Sequence, residues 1–349
     1  MAAPQVTLGY TAFPHLFDDI FNLTDHEGLL VLRRTSHELC ERVDAKLFNR
    51  VVVKRVLEKE YSRELDPHFF ELYDGARNRL PVPSLEVRSG GGIEKPKWGR
   101  RIKTTRLREM FKHARVVDCP ITFPCIILPL RKLEYARVNR VHSSVKYEYS
   151  LPPADGVVLS CSHIPYRAPI LHPPGRESAN GTSKLVISLC QPWKSLSTLY
   201  ESFDWHWEDI TSIIVIMSPR MATQGPFQRR WFVWPEVARH FRAFFKSWKP
   251  TGHRSRIATL VGLEDALQET FNQLGHLDFN RAEDAQAPTL PLRLLLDPHS
   301  WPRRTQGLVD ALRLLSKTIE QSNIKCVSLK DYKTGLTPQE AGNELDPLF

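Results

Sequence analysis

Short apolar segments recur along the 349-residue chain from residue 116 onwards, and they constrain its fold more than any other feature of the sequence. The strand-like runs lie at 116–119, 133–138, 157–160, 185–189, 213–217, 257–261, 292–296 and 326–329. Helical patterns separate the later runs, and the clearest, over 308–319, has leucine or isoleucine at spacings of 4, 3 and 4. Strand–helix alternation of this kind predicts an α/β fold with a parallel sheet.

Two architectures fit this alternation. One is an irregular leucine-rich-repeat-like α/β solenoid, which the Pro-Leu-x-x-Leu-x-x-Ala-x-Val pattern at 129–138 favours. The other is a single doubly wound parallel sheet, which the long helical patterns after residue 190 favour. The runs from 185 onwards begin 28, 44, 35 and 34 residues apart, too uneven for a regular repeat of about 20–29 residues. The irregular solenoid is the favoured prediction, because the chain before residue 160 also supplies strands with short returns.

The composition is that of an ordinary globular chain, with 42% hydrophobic and 25% charged residues. No apolar run approaches the ~20 residues of a membrane span. A secretory signal begins with basic residues that are followed by an apolar stretch. The first residues of this chain lack that pattern, and Asp18 and Asp19 interrupt the segment, so we expect no secretory signal. The six cysteines form no Cys-x-x-Cys pair, which favours buried reduced thiols and a cytoplasmic or nuclear location. We expect neither a metal nor a cofactor.

Three short helical patterns fill most of the first 53 residues. Pro14 suits the first turn of the first helix, where its missing N–H costs nothing. Thr24 and Asp25 offer an N-cap ahead of the second helix, and Thr24 and Glu27 have the spacing of a capping box. Thr35 or Ser36 begins the third helix. A unit this small is marginally stable alone, and its apolar count exceeds what a three-helix core can hide. Part of that surface is therefore expected to face another protein or the rest of the chain.

Particular residues within these helices follow a recognisable spacing. They are Phe13-Pro14, Ile20, Leu23, Asp25, Leu29, Leu32-Arg33, Thr35-Ser36 and Leu47-Phe48. This spacing resembles the F-box pattern, which opens on Leu-Pro and an acidic first helix and closes on Leu-Trp. Phe13 stands in place of the first Leu, Thr35 in place of a Val, and Phe48 in place of the closing Trp. The whole is similar to the divergent F-box-like proteins that some fungi carry in many copies.

The resemblance implies binding rather than catalysis. F-box helices dock onto the Skp-type adaptor of a cullin ubiquitin ligase, while the rest of the chain selects the substrate. By likeness, the residues at or near the adaptor contact are Phe13, Pro14, Leu16, Ile20, Leu23, Leu29 and Leu32. The expected function is a non-catalytic, substrate-recruiting adaptor of such a ligase with an unknown protein target. The alternatives are a helical cap that binds no adaptor, or an F-box-derived protein without a ligase role.

Two segments concentrate the positive charge of a chain whose formal net charge is +9. Residues 88–115 and 219–256 each have a net charge of +8, and the remainder sums to −7. The candidate basic patch consists of Arg100, Arg101, Lys103, Arg106, Arg229, Arg230, Arg239 and Arg242. These residues make a nucleic-acid or anionic-surface binding protein the competing prediction. A simpler explanation is that the first segment is a solvated loop and that the second is an outer helix whose aromatic side chains pack in the core.

No catalytic motif stands out, and we predict no enzymatic activity. The sequence has no Gly-x-Ser-x-Gly, no His-Glu-x-x-His and no dinucleotide-binding glycine pattern. The Asp-Pro-His at 297–299 is interpreted as a loop, and the Trp-His-Trp at 205–207 as a packed turn. The predicted domains are an F-box-like helical unit at 1–54, a helical and basic linker region at 55–115, an α/β repeat-like domain at 116–335 and a C-terminal tail at 336–349. Within the linker region, the apolar residues over 55–75 predict a helix, and those at 107, 110 and 111 predict a second, short helix.

Overall fold

The computed structural model describes residues 14–56, 68–87, 97–98, 104–120, 128, 130–139, 154–161, 183–189, 210–217, 238–239, 241–242, 245, 257–267 and 306–345. The chain divides into two units, Met1–Ala114 and Arg115–Phe349. The division lies next to the predicted start of the α/β domain at residue 116. The predicted border at residue 54, in contrast, falls inside the first unit.

The first unit combines helices with an antiparallel sheet. Its elements are α1 (Pro14–Leu23), α2 (His26–Leu32), α3 (His37–Leu47), β1 (Arg50–Val56), β2 (His68–Tyr73), β3 (Leu85–Val87), β4 (Lys97–Trp98) and α4 (Thr104–Phe111). Strands β1 to β4 pair with one another antiparallel in chain order. Helices α1, α2 and α3 lie where the sequence predicts them, and α4 follows the predicted short helix around residues 107–111.

The region predicted as a helical and basic linker needs correction, because it supplies three strands. The sequence pattern over 55–75 predicts a helix, but His68–Tyr73 is the strand β2. Within β2, Phe70 and Leu72 are buried, whereas Glu71 and Tyr73 are half-buried. This alternation has the two-residue period of a strand, and pairing with β1 fixes it.

The second unit contains a parallel sheet. Its strands are β5 (Val116–Pro120), β6 (Leu133–Asn139), β7 (Ala154–Cys161), β8 (Lys184–Leu189), β9 (Ser212–Met217), β10 (Ile257–Val261) and β11 (Lys325–Val327), and its helices are α5 (Gln306–Gln321), α6 (Leu329–Thr334) and α7 (Pro338–Glu344). Each strand from β6 to β11 pairs in parallel with the strand before it. The prediction of an α/β fold with a parallel sheet is confirmed. The run at 292–296 lies outside the described residues.

The order of the described parallel strands is sequential from β5 to β11. A doubly wound sheet reverses its strand order part-way across, and the strands described here show no such reversal. The sheet is also heavily buried, since all five residues of β9 from Ile213 to Met217 are buried. A strand buried on both sides explains why the sequence shows continuous apolar runs rather than alternation.

The C-terminal helices cover one side of this sheet, so the predicted C-terminal tail at 336–349 is wrong for its described part. Leu329 and Tyr332 of α6, and Leu345 after α7, pack against a buried cluster on the sheet. The members of that cluster are Val116, Tyr135, Val158, Val186, Ile214, Ile216 and Val261. A capping box between Thr337 and Glu340 starts α7.

A buried carboxylate fixes these helices to the sheet. The side chain of Glu344 accepts hydrogen bonds from the hydroxyl of Tyr135 at 2.6 Å and from that of Tyr332. It also forms an ion pair with Lys184 Nζ, and its own side chain is 0% exposed. Burial, followed by the hydrogen bond to Glu344, raises the pKa of Tyr135 and of Tyr332 well above the usual range. Both phenols therefore stay neutral donors to the carboxylate.

Candidate protein-binding surface

Helix α1 presents apolar side chains to solvent. Leu16, Ile20 and Leu23 are 47%, 49% and 88% exposed, and we call these three residues the exposed face of α1. Their spacing of four and three residues places them on one side of the helix. Phe21 is buried on another side, so α1 is apolar towards its own unit and towards solvent. A helix of this kind usually has a second surface to bind.

The last turn of α1 is held in place by contacts with its neighbours. Lys46 of α3 donates a hydrogen bond from Nζ to the carbonyl of Phe21, and the N–H of Thr24 donates to Ile20 at 2.9 Å. The capping box predicted at Thr24 is wrong, because its hydroxyl donates back to the Ile20 carbonyl. Asp25 caps α2 instead and accepts from the Gly28 N–H at 2.8 Å.

An ion pair joins α2 to α3. Arg33 Nε lies 2.5 Å from Asp44 Oδ1 and its Nη2 lies 3.2 Å from Asp44 Oδ2. Both side chains are nearly buried, at 11% and 10% exposure. Ser36 caps α3 and accepts from the Leu39 N–H, as the sequence predicts. Because this contact is bidentate, it fixes the angle between α2 and α3.

We expect Arg33→Lys to lower the free energy of unfolding by about 1–2 kcal/mol, because an ammonium cannot contact both carboxylate oxygens in the guanidinium's planar geometry. Urea denaturation of the full chain measures this change. The neighbouring exposed Arg34 provides the matched control, and Arg34→Lys should alter stability by less than about 0.5 kcal/mol. Equal losses in the two variants would contradict a structural role for the Arg33–Asp44 pair.

The closing position of the F-box-like pattern is a core residue. Phe48 is 0% exposed and packs edge-to-face on Phe111 of α4, with ring centroids 5.5 Å apart and an interplanar angle of 77°. Leu47 beside it is 2% exposed. The end of the three-helix segment is therefore anchored in the core of the first unit.

The remaining predicted contact residues divide between surface and core. Pro14 is exposed and Leu32 is half-buried, whereas Phe13 lies outside the described residues. Leu29 is only 4% exposed, so its predicted place in a contact surface is corrected to a place in the core. Val31 is 62% exposed and was not singled out. Val31 lies in the four-residue apolar run 29–32. One side of a helix cannot bury all four residues, so the run itself indicates that at least one of them is exposed.

The described members of the candidate basic patch lie on helical surfaces. Arg106 on α4 is exposed, as are Arg239 and Arg242 in the second basic segment. Phe241 and Phe245 beside them are buried, with ring centroids 5.2 Å apart. This is the arrangement that an outer helix with a core-facing aromatic stripe requires. Arg100, Arg101, Lys103, Arg229 and Arg230 lie outside the described residues. Nucleic-acid binding stays a prediction.

Within the described residues, no group of three or more His, Cys, Asp or Glu side chains is placed to hold a metal ion. No described helix is both long enough and apolar enough to cross a membrane. The segments 205–207 and 297–299 lie outside the described residues. One buried charge pair does lie in the sheet, where Arg137 Nη1 is 3.4 Å from the carboxylate of Asp118.

Comparison with known proteins assigns no relative. No family model, no curated protein and no solved structure matches this chain. Function therefore has to be inferred from the exposed face of α1 and from the surfaces that the parallel sheet creates.

Proposed function

We propose that this chain is a non-catalytic, substrate-recruiting adaptor of a cullin-type ubiquitin ligase. Its helices α1 to α3 act as an F-box-like unit that docks onto a Skp-type adaptor. The second unit holds a protein target. The observation that carries the proposal is the exposed face of α1, where Leu16, Ile20 and Leu23 are about half to nine-tenths exposed.

These three side chains give α1 a physical reason to bind. Covering their exposed parts would contribute roughly 3–5 kcal/mol, since fully burying one such side chain contributes about 1.5–3 kcal/mol. Single apolar side chains are common on protein surfaces, whereas clustered ones mark interaction surfaces. The three residues lie on one side of a single helix whose last turn is fixed by Lys46. The helix can therefore bind without first becoming ordered, which favours affinity.

The F-box-like pattern also separates into two groups in a way that supports the proposal. The pattern residues outside the predicted adaptor contact, Arg33 and Phe48, are buried or nearly so. The pattern residues that would contact an adaptor, Ile20 and Leu23, are exposed. A helical cap made only to cover its own unit would turn these two side chains inward.

The second unit is proposed to be an irregular leucine-rich-repeat-like solenoid. The sequential order of β5 to β11 supports this, because in a solenoid each strand lies beside the one before it. The uneven spacing of the strands makes the repeats irregular. Such domains offer extended surfaces for protein targets. A ligase adaptor of this kind would work in the cytoplasm or the nucleus.

Capture of a purified Skp-type adaptor by the immobilised full chain tests the proposal. Wild type should retain the adaptor, and the double variant Leu16→Glu plus Ile20→Glu should lose it by at least ~100-fold, because two carboxylates would have to be buried in an apolar contact. His15 and Asn22 are exposed positions on the same helix. The variant His15→Glu plus Asn22→Glu therefore makes the same substitutions away from the exposed face and should retain the adaptor.

Failure of the wild-type chain to bind the adaptor would overturn the proposal. So would equal loss in the two double variants, because the exposed face would then have no special role. Circular dichroism of each variant confirms that α1 to α3 remain folded.

A further inference from the structure

The segment from Ser328 to Leu345 covers part of the parallel sheet, and we call this segment, which contains α6 and α7, the C-terminal strap. The buried cluster beneath it consists of six aliphatic side chains and the ring of Tyr135. Contact of such side chains with water is unfavourable. The strap therefore keeps an apolar side of the sheet covered.

The strap contributes no fully buried apolar side chain to this contact. Leu329, Tyr332 and Leu345 pack against the cluster, but each is only partly buried. The two buried side chains of the strap, Asn343 and Glu344, are both polar. An ordinary outer helix is attached by apolar side chains that leave water completely, and each of these contributes about 1.5–3 kcal/mol. The hydrophobic attachment of the strap is therefore weaker than that of an ordinary outer helix.

The polar contacts of Glu344 hold the strap in one position, but its release does not leave them unpaired. The carboxylate accepts from Tyr135, Tyr332 and Lys184 while the strap is closed. When the strap lifts away, the carboxylate and the Lys184 ammonium both return to water. Hydration of two freed charges offsets most of the attraction between them. Opening therefore costs less than these contacts suggest.

The junction between the strap and the sheet allows this movement. Strand β11 ends at Val327, whose carbonyl accepts from the Gly262 N–H at 3.0 Å. The backbone hydrogen bonds of the strap are local among the described residues, since Ser328 caps α6 and a capping box starts α7. One longer contact joins the Leu329 N–H to the Asp265 carboxylate at 3.4 Å. The strap can therefore leave the sheet without breaking a strand pair.

We propose that the C-terminal strap opens as a unit while the parallel sheet stays folded. Opening uncovers part of the apolar cluster, so the strap is a conformational device that controls access to that side of the sheet. Sub-global opening of this kind is expected where a segment has few buried apolar contacts. The inference concerns the second unit alone and does not depend on the proposed ligase role.

Native-state hydrogen exchange of the full chain, followed by mass spectrometry, tests the proposal. After correction for intrinsic rates, we expect the amides of α6 and α7 to share one rate. That rate should be at least about 100-fold faster than the rate for the central amides of β8 and β9, because a sub-global opening is populated more often than global unfolding. Equal protection of the strap and the two strands would overturn the proposal.

The variant Ile213→Val separates opening of the strap from unfolding of the sheet. Ile213 is fully buried in β9 and, by the alternation along a strand, lies on the opposite face from Ile214 and Ile216 in the cluster. Loss of one carbon should speed exchange in β8 and β9 about 2–10-fold. Exchange in the strap should be unchanged, because its open and closed states both retain that site. Equal acceleration in the strap would show that it opens only when the whole sheet unfolds, which rejects the proposal.

The variant Tyr332→Phe tests whether the contacts of Glu344 keep the strap closed. It removes one donor but retains the ion pair between Glu344 and Lys184, and it should speed exchange in the strap about fivefold. Tyr73→Phe makes the same substitution in the first unit, where the hydroxyl donates to Glu71 at 2.7 Å, and should leave exchange in the strap unchanged. Equal rates in the two variants would mean that Glu344 does not hold the strap, contrary to the proposal.

Discussion

Replacing Glu344 with alanine is expected to lower the free energy of unfolding by about 3–5 kcal/mol, as breaking a buried ion pair typically does. The carboxylate is fully buried and receives three donors, from Tyr135, Lys184 and Tyr332. Its removal leaves two phenol hydroxyls and an ammonium without their acceptor in a mostly apolar setting. It also releases α7 from the sheet. Urea denaturation of the full chain, followed by tyrosine and tryptophan fluorescence, measures the loss.

Glu320 supplies the control, since it is an exposed glutamate on the helix α5 of the same unit. Glu320→Ala should change the free energy of unfolding by less than about 0.5 kcal/mol. A loss at Glu344 no greater than this would mean that the buried cluster does not hold the C-terminal helices. Tyr332→Phe, which removes a single donor and leaves the ion pair with Lys184, should cost only about 1 kcal/mol.

Adding one methyl group at Gly156 is expected to cost about 2–3 kcal/mol, because overpacking of a filled site forces side chains out of place. A Cβ at this position would lie 2.6 Å and 2.8 Å from the Cε1 and Cδ1 atoms of the Tyr135 ring. The ring would have to move, and its hydroxyl would leave the 2.6 Å hydrogen bond to Glu344. Thermal unfolding of Gly156→Ala measures the effect as a lower melting temperature.

Gly335 is the matched glycine. A Cβ there would meet its nearest atoms at 3.5 Å and 3.6 Å, which is ordinary contact, and the backbone φ of −80° suits any residue. Gly335→Ala should therefore change stability by less than about 0.5 kcal/mol. In the background of Tyr135→Ala, which removes the ring, the Gly156→Ala penalty should largely disappear. Persistence of the full penalty in that background would show that the contact with the ring is not its cause.

The elements whose signals are local could be predicted from the sequence. Helices α1 to α3 follow Pro14, a polar cap at Ser36 and apolar residues at helical spacing, all within one or two turns. The parallel strands β5 to β10 coincide with the predicted strand-like runs. The run in β9 is continuously apolar because both of its faces are buried. The order of these strands in the sheet was left open between a sequential solenoid and a doubly wound sheet, because the sequence of one strand does not specify which strand lies beside it.

Elements that depend on partners elsewhere in the chain were mispredicted. The strand β2 was interpreted as a helix, because Phe69 and Phe70 fit either period until pairing with β1 selects one. The C-terminal residues were interpreted as a tail, because their polar sequence does not reveal that Glu344 is buried against Tyr135, 209 positions earlier. Similarly, Thr24 and Asp25 were both possible caps, and the chain's path between α1 and α2 selects Asp25.

The candidate sites show the same division. Leu16, Ile20 and Leu23 could be grouped from their spacing, yet only their measured exposure separates them from Leu29, which has the same chemistry and lies in the core. The close contact of the Tyr135 ring with position 156 had one local signal, because a glycine inside a strand often marks a close approach by another group. Nothing near Gly156 in the sequence indicates that Glu344 would accept a hydrogen bond from that tyrosine.

The sequence by itself determined the helical start, the apolar strands and therefore the α/β class, because hydrophobic periodicity and helix caps act between residues a few positions apart. Only the tertiary structure decided which leucines remain on the surface, which strand each run joins, and where charges such as Glu344 and Glu340 meet their neighbours. Burial and ion pairing depend on distances in space, and residues far apart in the chain come within a few ångströms of one another only once the sheet has formed.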